Sequence, residues 1–452
     1  MKTLVRKHLM PLCIILSWMI SGIAFGSCTS DDDIPRIDNN KESASNPWKR
    51  SETDAIDIAI SNIDLLGHDA PKSRVTADIV ANVSVIGNKL KSRSGAIADS
   101  LIYVVNFKDN EGFALIPVSK KADPLLAMCE SGNYTADAEP DNPGFSLYMD
   151  MALDVLADIE TASSDSLGIG PVIPWDPDPN KQPWEMKETD ETIWQTNIEP
   201  RVIVEWSQND IYGALAPNHT AGCGPVAIAQ TMTYFNHPSY MRFTFPERSL
   251  SQITINWDEI KQHQHMALRP QANPCPCSAQ NHTNISHIIR QIGQDAHSSY
   301  DLATGLTNTT SSDIKQYLQS QGFSVNGFND YKKGDSKKIG NGIILIGGQR
   351  IENNQKVGHI WVLDGLREYT VKHTCYVRRN ANDSWQIMSQ QSYNYRLNHF
   401  NWGWGFRALN SYNGWFNDGI FDAYDPADHS VSNPLNANKN FCYDVKYIIV
   451  NH

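Results

Sequence analysis

A proline-rich, acidic stretch divides this chain of 452 residues into two parts. Residues 163–191, SSDSLGIGPVIPWDPDPNKQPWEMKETDE, combine five prolines with many acidic side chains and few apolar ones. Such a composition leaves little to pack, so it predicts an exposed, protease-accessible linker, which we place at 163–197. The length of the chain also exceeds what one ordinary core accommodates, and two or three folded units are expected.

The first 27 residues have the pattern of an export signal. Basic residues precede the apolar stretch LMPLCIILSWMISGIAF, which ends in small residues. Cys28 follows in FGSC, which resembles a bacterial lipobox, whose cysteine becomes the lipidated first residue of the mature chain. A plain signal peptide with a coincidental cysteine is the alternative. Residues 28–47 are polar and predict a tether, so we expect an exported lipoprotein, anchored at the outer membrane through Cys28 and surface-exposed or released.

Charge and cysteine spacing exclude several classes of site. The net charge of −12 argues against a nucleic-acid partner, which would require a basic surface. Cys275 and Cys277 form the one close cysteine pair, and no second pair stands at the spacing of a zinc site. We interpret that pair as part of an exposed loop whose disulfide state is open. No metal and no cofactor are predicted.

Residues 48–162 are predicted to form a small α+β unit. A capped amphipathic helix over 51–67 precedes a β-hairpin over 101–119, and a second amphipathic helix covers 144–160. None of these elements carries a pattern typical of catalysis.

The larger region, 198–452, changes character along its length. Its first half predicts helices at 223–236, 285–293 and 313–321. Its second half is strand-like, in the stretches GIILIGG, HIWVLDG, TCYVRR, SWQIMS and DVKYIIV. Helices followed by antiparallel strands predict an α+β fold with a cleft where the two halves meet.

A cysteine stands at the predicted start of one of these helices. In TAGCGPVAIAQTM, Cys223 lies between glycines and directly ahead of the helical run. The unpaired N–H groups and the dipole of a helix N-terminus favour a thiolate, so the position suits a reactive thiol better than a structural one.

A thiolate nucleophile needs a base, a group that orients the base, and donors for an oxyanion. His359 begins a predicted strand in GHIWVLDG, although a lone histidine there would more often be structural. Asn401 in NHFNWGWG could accept the imidazole N–H, with Trp402 and Trp404 beside it to exclude water. Gln208 in EWSQND could donate to an oxyanion, although alone it would more often be a surface residue.

The order Gln, Cys, His, Asn is that of papain-like cysteine peptidases. The segments WSQ, GCGPVAIAQTMTYFNHP, GHIWVLDG and NWGWG, followed by NGWF, resemble the streptopain-like family of secreted bacterial cysteine peptidases, family C10. The stretch LIYVVNFKDNEGFALIPVSKKADPLLA resembles the inhibitory propeptide of that family. The resemblance implies a two-lobed papain-like catalytic domain, helical lobe and antiparallel β lobe, over 198–452, preceded by a small α+β prodomain over 48–162.

The resemblance also implies roles for individual residues. Cys223 would be the nucleophile and His359 its imidazolium partner, and Asn401 would orient the histidine. Trp402, with Trp404 nearby, would shield that contact, and Gln208 would complete the oxyanion hole with the backbone N–H of the nucleophile. The implied function is a secreted, lipid-anchored endopeptidase made as a zymogen, with protein or peptide substrates and its own prodomain as inhibitor.

Three features depart from the family pattern. Val357, not a second glycine, precedes Gly358; the span between HIWVLDG and NWGWG is long enough for an extra hairpin; and the loop after NWGWG lacks an expected glycine. These departures concern the shape of the cleft more than its chemistry. Two alternatives stay open: a papain-like amidase acting on peptidoglycan or other non-protein amides, and an inactive surface-binding lipoprotein.

Overall fold

A computed structural model describes residues 48–66, 77–87, 100–136, 138, 140–161, 185–245, 250–262, 279–352, 355–378, 381–405, 411–424 and 444–452. Residues 46–452 cluster as one compact unit. The predicted signal peptide and tether, including Cys28, lie outside the described residues, as do Cys275, Cys277 and Cys442. Within the described part, no helix is long and apolar enough to cross a lipid bilayer.

Seven α-helices occur among the described residues, and short 3₁₀ turns lie between α1 and α2 and after α7. The α-helices are α1 (Glu52–Ser61), α2 (Pro143–Thr161), α3 (Asp210–Gly213), α4 (Cys223–Phe235), α5 (Trp257–Lys261), α6 (Ala279–Asp295) and α7 (Ser311–Ser320).

The strands fall into a long series that runs through both predicted regions. They are β1 (Val80–Ile86), β2 (Ile102–Phe107), β3 (Phe113–Pro117), β4 (Ala127–Cys129), β5 (Glu185–Ile198), β6 (Tyr240–Phe243), β7 (Leu250–Thr254), β8 (Ser299–Tyr300), β9 (Thr307–Asn308), β10 (Ser324–Val325), β11 (Asn329–Asp330), β12 (Ile343–Glu352), β13 (Gln355–Arg378), β14 (Gln386–Asn401), β15 (Gly414–Asn417) and β16 (Lys446–Asn451).

Twelve of these strands form one antiparallel sheet. Its main order is β1-β2-β3-β4-β15-β14-β13-β12-β16-β10, while β11 pairs with β16 and β5 pairs with the outer half of β13. The pairs β6-β7 and β8-β9 stand apart as small ribbons. Strands from residues 48–162 and from the C-terminal region therefore share one sheet.

The junction between the two regions is the pairing of β4 with β15. Cys129 lies opposite Gly414, and Met128 lies opposite Trp415. Gly414 has φ +152°, and a Cβ there would lie 2.2 Å from the carbonyl oxygen of Met128, so a glycine permits this close approach.

The central strands carry apolar side chains on both faces of the sheet. Ile343 and Leu345 of β12 join the core with α4, α6 and α7, whereas Ile344 and Ile346 join the core with α2. Because successive side chains of a strand point to opposite faces, the sheet separates these two helical layers. A third core, against α1, lies on the strands β2 to β4.

Local sequence accounts for the helix ends. The side chain of Ser51 accepts a hydrogen bond from the backbone N–H of Asp54, whose carboxylate accepts from the Ser51 N–H, so α1 begins with a capping box. Ten consecutive residues of α4, Gly224–Thr233, are buried, which makes it the central helix of its layer. Asn236 ends it in the left-handed conformation, with φ 52°.

Most predicted elements are present with shifted ends. The helices expected at 223–236 and 144–160 are confirmed as α4 and α2. Two differences stand out: the strands expected in HIWVLDG and TCYVRR are one continuous strand, β13, and the second half of the predicted linker is strand β5. The structure shows a mixed α and β fold with a large antiparallel sheet; the two-lobed papain-like arrangement stays a prediction.

Candidate active site

Cys223 is the first residue of α4. The preceding Gly222 has φ +88°, and a Cβ at that position would lie 2.6 Å from Cγ2 of Thr307, so a side chain would be both strained and crowded there. The backbone N–H of Ala221 donates to the carbonyl oxygen of Gln208 at 2.7 Å. The chain is thus held in place directly before the thiol.

Cys223 is the partly exposed one of the three described cysteines, since Cys129 and Cys375 are buried. Burial raises the pKa of the Cys223 thiol, and the backbone N–H groups of Ile360, Gly224 and Cys223 itself lower it only in part. The helix N-terminus was expected to favour a thiolate. In this structure desolvation outweighs it, and the thiol is the stable form.

His359 lies on β13, directly opposite Gly348 of β12. Its neighbour Ile360 belongs to the core with α4, whereas Trp361 belongs to the core with α2. Because His359 is in phase with Trp361, its ring lies on the α2 side of the strand. The two rings stack at 6.2 Å between centroids, inclined by 13°.

The imidazole of His359 is held in a neutral form. It is 5% exposed, and its Nε2 lies 2.7 Å from the carbonyl oxygen of Trp402. Burial lowers the pKa of His359 to about 4, and the hydrogen bond with that carbonyl offsets the effect only in part. Cys223 and His359 are therefore both uncharged near neutral pH, rather than a thiolate and an imidazolium.

Helix α2 covers this histidine from above. A Cβ added to Gly144 would lie 2.7 Å from Cδ2 of His359 and 2.4 Å from Cε3 of Trp402. One turn later, Cδ2 of Leu147 would lie 2.4 Å from a Cβ at Gly348. Two glycines thus permit the helix to approach the strand that carries the histidine.

Asn142 fixes the start of this helix. Its side-chain oxygen accepts from the backbone N–H of Gly144 at 2.9 Å and of Phe145 at 3.1 Å. Its side-chain nitrogen donates to the carbonyl oxygen of Ser411 at 2.9 Å. The cap of α2 is thereby tied to the C-terminal region beside the site.

Asn401 and Gln208 form hydrogen bonds with groups other than the His359 ring and the Cys223 thiol. Asn401 donates from Nδ2 to the carbonyl oxygen of Val204 at 2.8 Å and accepts from the backbone N–H of Gly403 at 3.2 Å. Gln208 is 9% exposed and meets the segment before Cys223 through its backbone carbonyl. Their predicted roles stay predictions.

The two tryptophans meet the histidine through different groups. Trp402 is fully buried, donates from its indole nitrogen to the carbonyl oxygen of Tyr412 at 2.8 Å, and supplies the carbonyl that meets His359. Trp404 is half-buried, and its ring meets His359 edge to face, at 6.1 Å between centroids.

Cys223 and His359 line the same cavity, of about 440 Å³. One wall is the segment 307–311 with its threonines, and the other is formed by 347–349 of β12 and 358–360 of β13. Asp444 and Lys446 lie at its edge, 3.0 Å apart. Among the described residues, no group of histidine, cysteine and carboxylate side chains could hold a metal ion.

Sequence reasoning missed Gly144 and Trp361 as residues that contact His359. Trp361 could have been found, because it stands two positions after the histidine on the same predicted strand and so shares its face. Gly144 lies more than two hundred positions away and carries no motif.

The Peptidase C10 family model matches residues 206–416, which include Gln208, Cys223, His359 and Asn401. No curated protein matches the chain.

Two solved structures from Prevotella intermedia are similar to the chain. A fragment of prointerpain A is 16% identical over 82% of this chain and 98% of that chain, with a TM-score of 0.44. Active wild-type interpain A cysteine protease is 16% identical over 56% of this chain and 94% of that chain, with a TM-score of 0.34. The predicted resemblance is confirmed by the family model: residues 206–416 are homologous to the C10 family of cysteine peptidases.

Proposed function

We propose that this chain is the latent precursor of an exported, lipid-anchored cysteine endopeptidase. In the proposed active form, the Cys223 thiolate attacks the carbonyl carbon of a peptide bond and His359 protonates the leaving amine. Water then hydrolyses the resulting acyl-enzyme and releases the thiol. The Gln208 side chain and the Cys223 backbone N–H would donate to the oxyanion, and Asn401 would orient the imidazole.

The observation that carries the latent state is the position of His359. Its ring is buried under α2, is bonded to the Trp402 carbonyl and has a pKa lowered to about 4. The thiol of Cys223 meanwhile contacts the backbone of the neighbouring residue, Ile360, rather than an imidazolium. The nucleophile and its base thus line one cavity, but both are uncharged and do not form a thiolate–imidazolium ion pair.

Removal of α2 would reverse this state. Without Gly144 and Leu147 against the strand, the imidazole would gain solvent, and its pKa would rise toward the ordinary value. The ring could then leave the Trp402 carbonyl and take the proton of Cys223. Residues 48–162 would therefore act as the inhibitor, and cleavage between Ser163 and Trp206 would release them.

A helix that covers the base also favours a protease precursor over the alternative amidase. A built-in inhibitory domain suits an enzyme that could digest the proteins of the cell that makes it. Protein or peptide chains are accordingly the proposed substrates, and Cys28 is the proposed site of lipid attachment.

The test compares the full-length chain with Cys223→Ala and with Cys375→Ala as a matched control. We expect the wild-type chain and the control to shorten on incubation and to hydrolyse casein. Cys223→Ala should stay full length and inactive. Casein hydrolysis by the Cys223→Ala chain at the wild-type rate would overturn the proposal.

A further inference from the structure

A second buried histidine lies between two carboxylates, away from the cavity of Cys223. His399 on β14 is 4% exposed. Its Nδ1 lies 2.6 Å from Oδ1 of Asp364, and its Nε2 lies 3.2 Å from Oε1 of Glu130. Glu130 belongs to the N-terminal region and directly follows β4, so this cluster joins the two regions of the chain.

Asp364 is held in a fixed position by its hydrogen bonds. It is fully buried on β13, where the pairing with β14 shifts register. Its Oδ2 accepts hydrogen bonds from the backbone N–H groups of Arg201 at 3.0 Å and Val202 at 2.7 Å. A carboxylate with two backbone donors and one imidazolium has its charge well satisfied.

Glu130 is held in place by its backbone. Its N–H donates to the carbonyl oxygen of Asn413 at 3.0 Å, which continues the pairing of β4 with β15. Its carboxylate is 22% exposed, so the ion pair with His399 is largely shielded from solvent. The Glu130–His399 ion pair and the pairing of β4 with β15 therefore join the two regions at the same place.

Strand β15 also packs against His399, through an aromatic ring, and among the described residues it brings no further charged group into contact with the imidazole. Trp415 of β15 meets the His399 ring at 5.2 Å between centroids. The guanidinium of Arg367 lies 4.8 Å from the centre of the Trp415 ring and pairs with Asp64 and Glu199. Asp364 and Glu130 are thus the charged groups that act on His399 directly.

These carboxylates decide the charge of His399. Burial alone lowers the pKa of a histidine, but Asp364 and Glu130 outweigh it and raise the pKa of His399 to about 10. The imidazole is therefore protonated at neutral pH. Glu130 is the counter-ion that the N-terminal region contributes to it.

We propose that the His399–Glu130 ion pair, with Asp364 behind it, is the charged anchor that keeps the N-terminal region docked on β14 and β15. Its regulatory meaning, as a contact that maintains latency, rests on the proposed function. The anchor differs from the cover over His359, because it touches neither Cys223 nor the cavity.

Linkage gives the anchor a pH dependence with a definite sign. The part of the pKa rise of His399 that Glu130 supplies exists only in the docked state, whereas Asp364 acts in both states. The contribution of Glu130 to docking is present while the imidazole is protonated and is lost as pH rises through about 10. Docking of the N-terminal region should therefore weaken on the alkaline side.

The experiment uses the full chain with Cys223→Ala, which cannot mature itself, and adds Glu130→Gln. Asp64→Asn is the matched control, because Asp64 also pairs with the C-terminal region, through Arg367, but is 60% exposed. Exposed ion pairs contribute little to stability. Amide hydrogen exchange is measured across 127–130 and 413–417, and NMR follows the titration of His399.

We expect Glu130→Gln to speed exchange in both segments by about tenfold or more at pH 7, and the control to change it less than about threefold. The pKa of His399 should fall clearly below about 10 in Glu130→Gln and stay unchanged in the control. Unchanged exchange together with an unchanged titration would overturn the anchor. If Glu130→Gln does not fold, the wild-type titration decides: a His399 that is neutral at pH 7 excludes the ion pair.

These readouts need no catalysis, so they are independent of the proposed function. A chain that never hydrolyses casein would overturn the peptidase proposal while the exchange data still supported the anchor. A chain that matures normally but shows no effect of Glu130→Gln would overturn the anchor alone.

Discussion

The surroundings of His359 and of His399 differ although both rings are buried and both meet the N-terminal region. Around His359 lie tryptophans, a glycine of α2 and one carbonyl oxygen, and the pKa is lowered to about 4. Around His399 lie two carboxylates, and the pKa is raised to about 10. Burial alone therefore does not decide the charge of a histidine; the groups that replace its water do.

The two histidines therefore have different roles in the proposed function. In that function, the neutral ring of His359 becomes available to Cys223 when α2 leaves. The charged ring contributes to holding the N-terminal region.

Replacement of His359 and replacement of His399 should differ most in their effect on casein hydrolysis. We expect His359→Ala to lower casein hydrolysis by about 10⁴-fold or more, because no other described histidine lines the cavity with Cys223. His399→Gln should leave the activity of the matured enzyme within a few-fold of wild type. Comparable losses in kcat for the two variants would contradict the division of roles.

Gln208→Ala tests the predicted oxyanion role of its side-chain amide. We expect kcat to fall by about 10²-fold with KM nearly unchanged, because the amide would donate mainly in the transition state. Asn209→Ala, which changes the adjacent exposed residue, is the control. A change confined to KM would instead indicate a role in substrate binding.

Gly144→Ala tests the cover over His359. The new Cβ would lie 2.4 Å from Trp402, so α2 must shift, at a cost of about 1–3 kcal/mol in the stability of the latent chain. We expect faster appearance of casein hydrolysis and a lower Tm for the full-length chain. Ser146→Ala, two residues later on the same helix, should change neither; equal effects would place the cover elsewhere.

The Tm of the full-length chain should fall on both the acid and the alkaline side, and a different histidine should cause each fall. A lowered pKa means that the His359 contribution is present above about 6.5 and is lost as pH falls toward about 4. The His399 contribution is lost as pH rises through about 10. Tm measured against pH should therefore decline on both sides, and His359→Ala should flatten the acid limb while preserving the alkaline one.

Much of the site follows from short stretches of sequence. The glycines around Cys223 and the apolar run behind it predict a helix that begins at the thiol, and α4 does so. The alternation of apolar residues around His359 predicts a strand. Local periodicity and backbone preferences decide both features, so they can be recognised without knowledge of the partner elements.

Contacts between distant segments could not be predicted in this way. The pairing of β4 with β15 joins residues 127–129 to residues 414–416, and the half of the linker that becomes β5 finds its partner in β13. A proline-rich composition gives no information about which strand edge is free elsewhere in the fold. The raised pKa of Cys223 could not be predicted from the helix N-terminus for a similar reason, because desolvation depends on what packs around the thiol.

By itself, the sequence determined the family resemblance, the helix at Cys223 and the strand at His359, because these depend on neighbouring residues. Only the tertiary structure decided that α2 lies against His359 and that Glu130 reaches His399. Both contacts bring together groups from separate regions, and the charge of each histidine depends on the dielectric and the partners found there. Protonation is therefore a property of the assembled fold, whereas the identity of the reactive groups is a property of the chain.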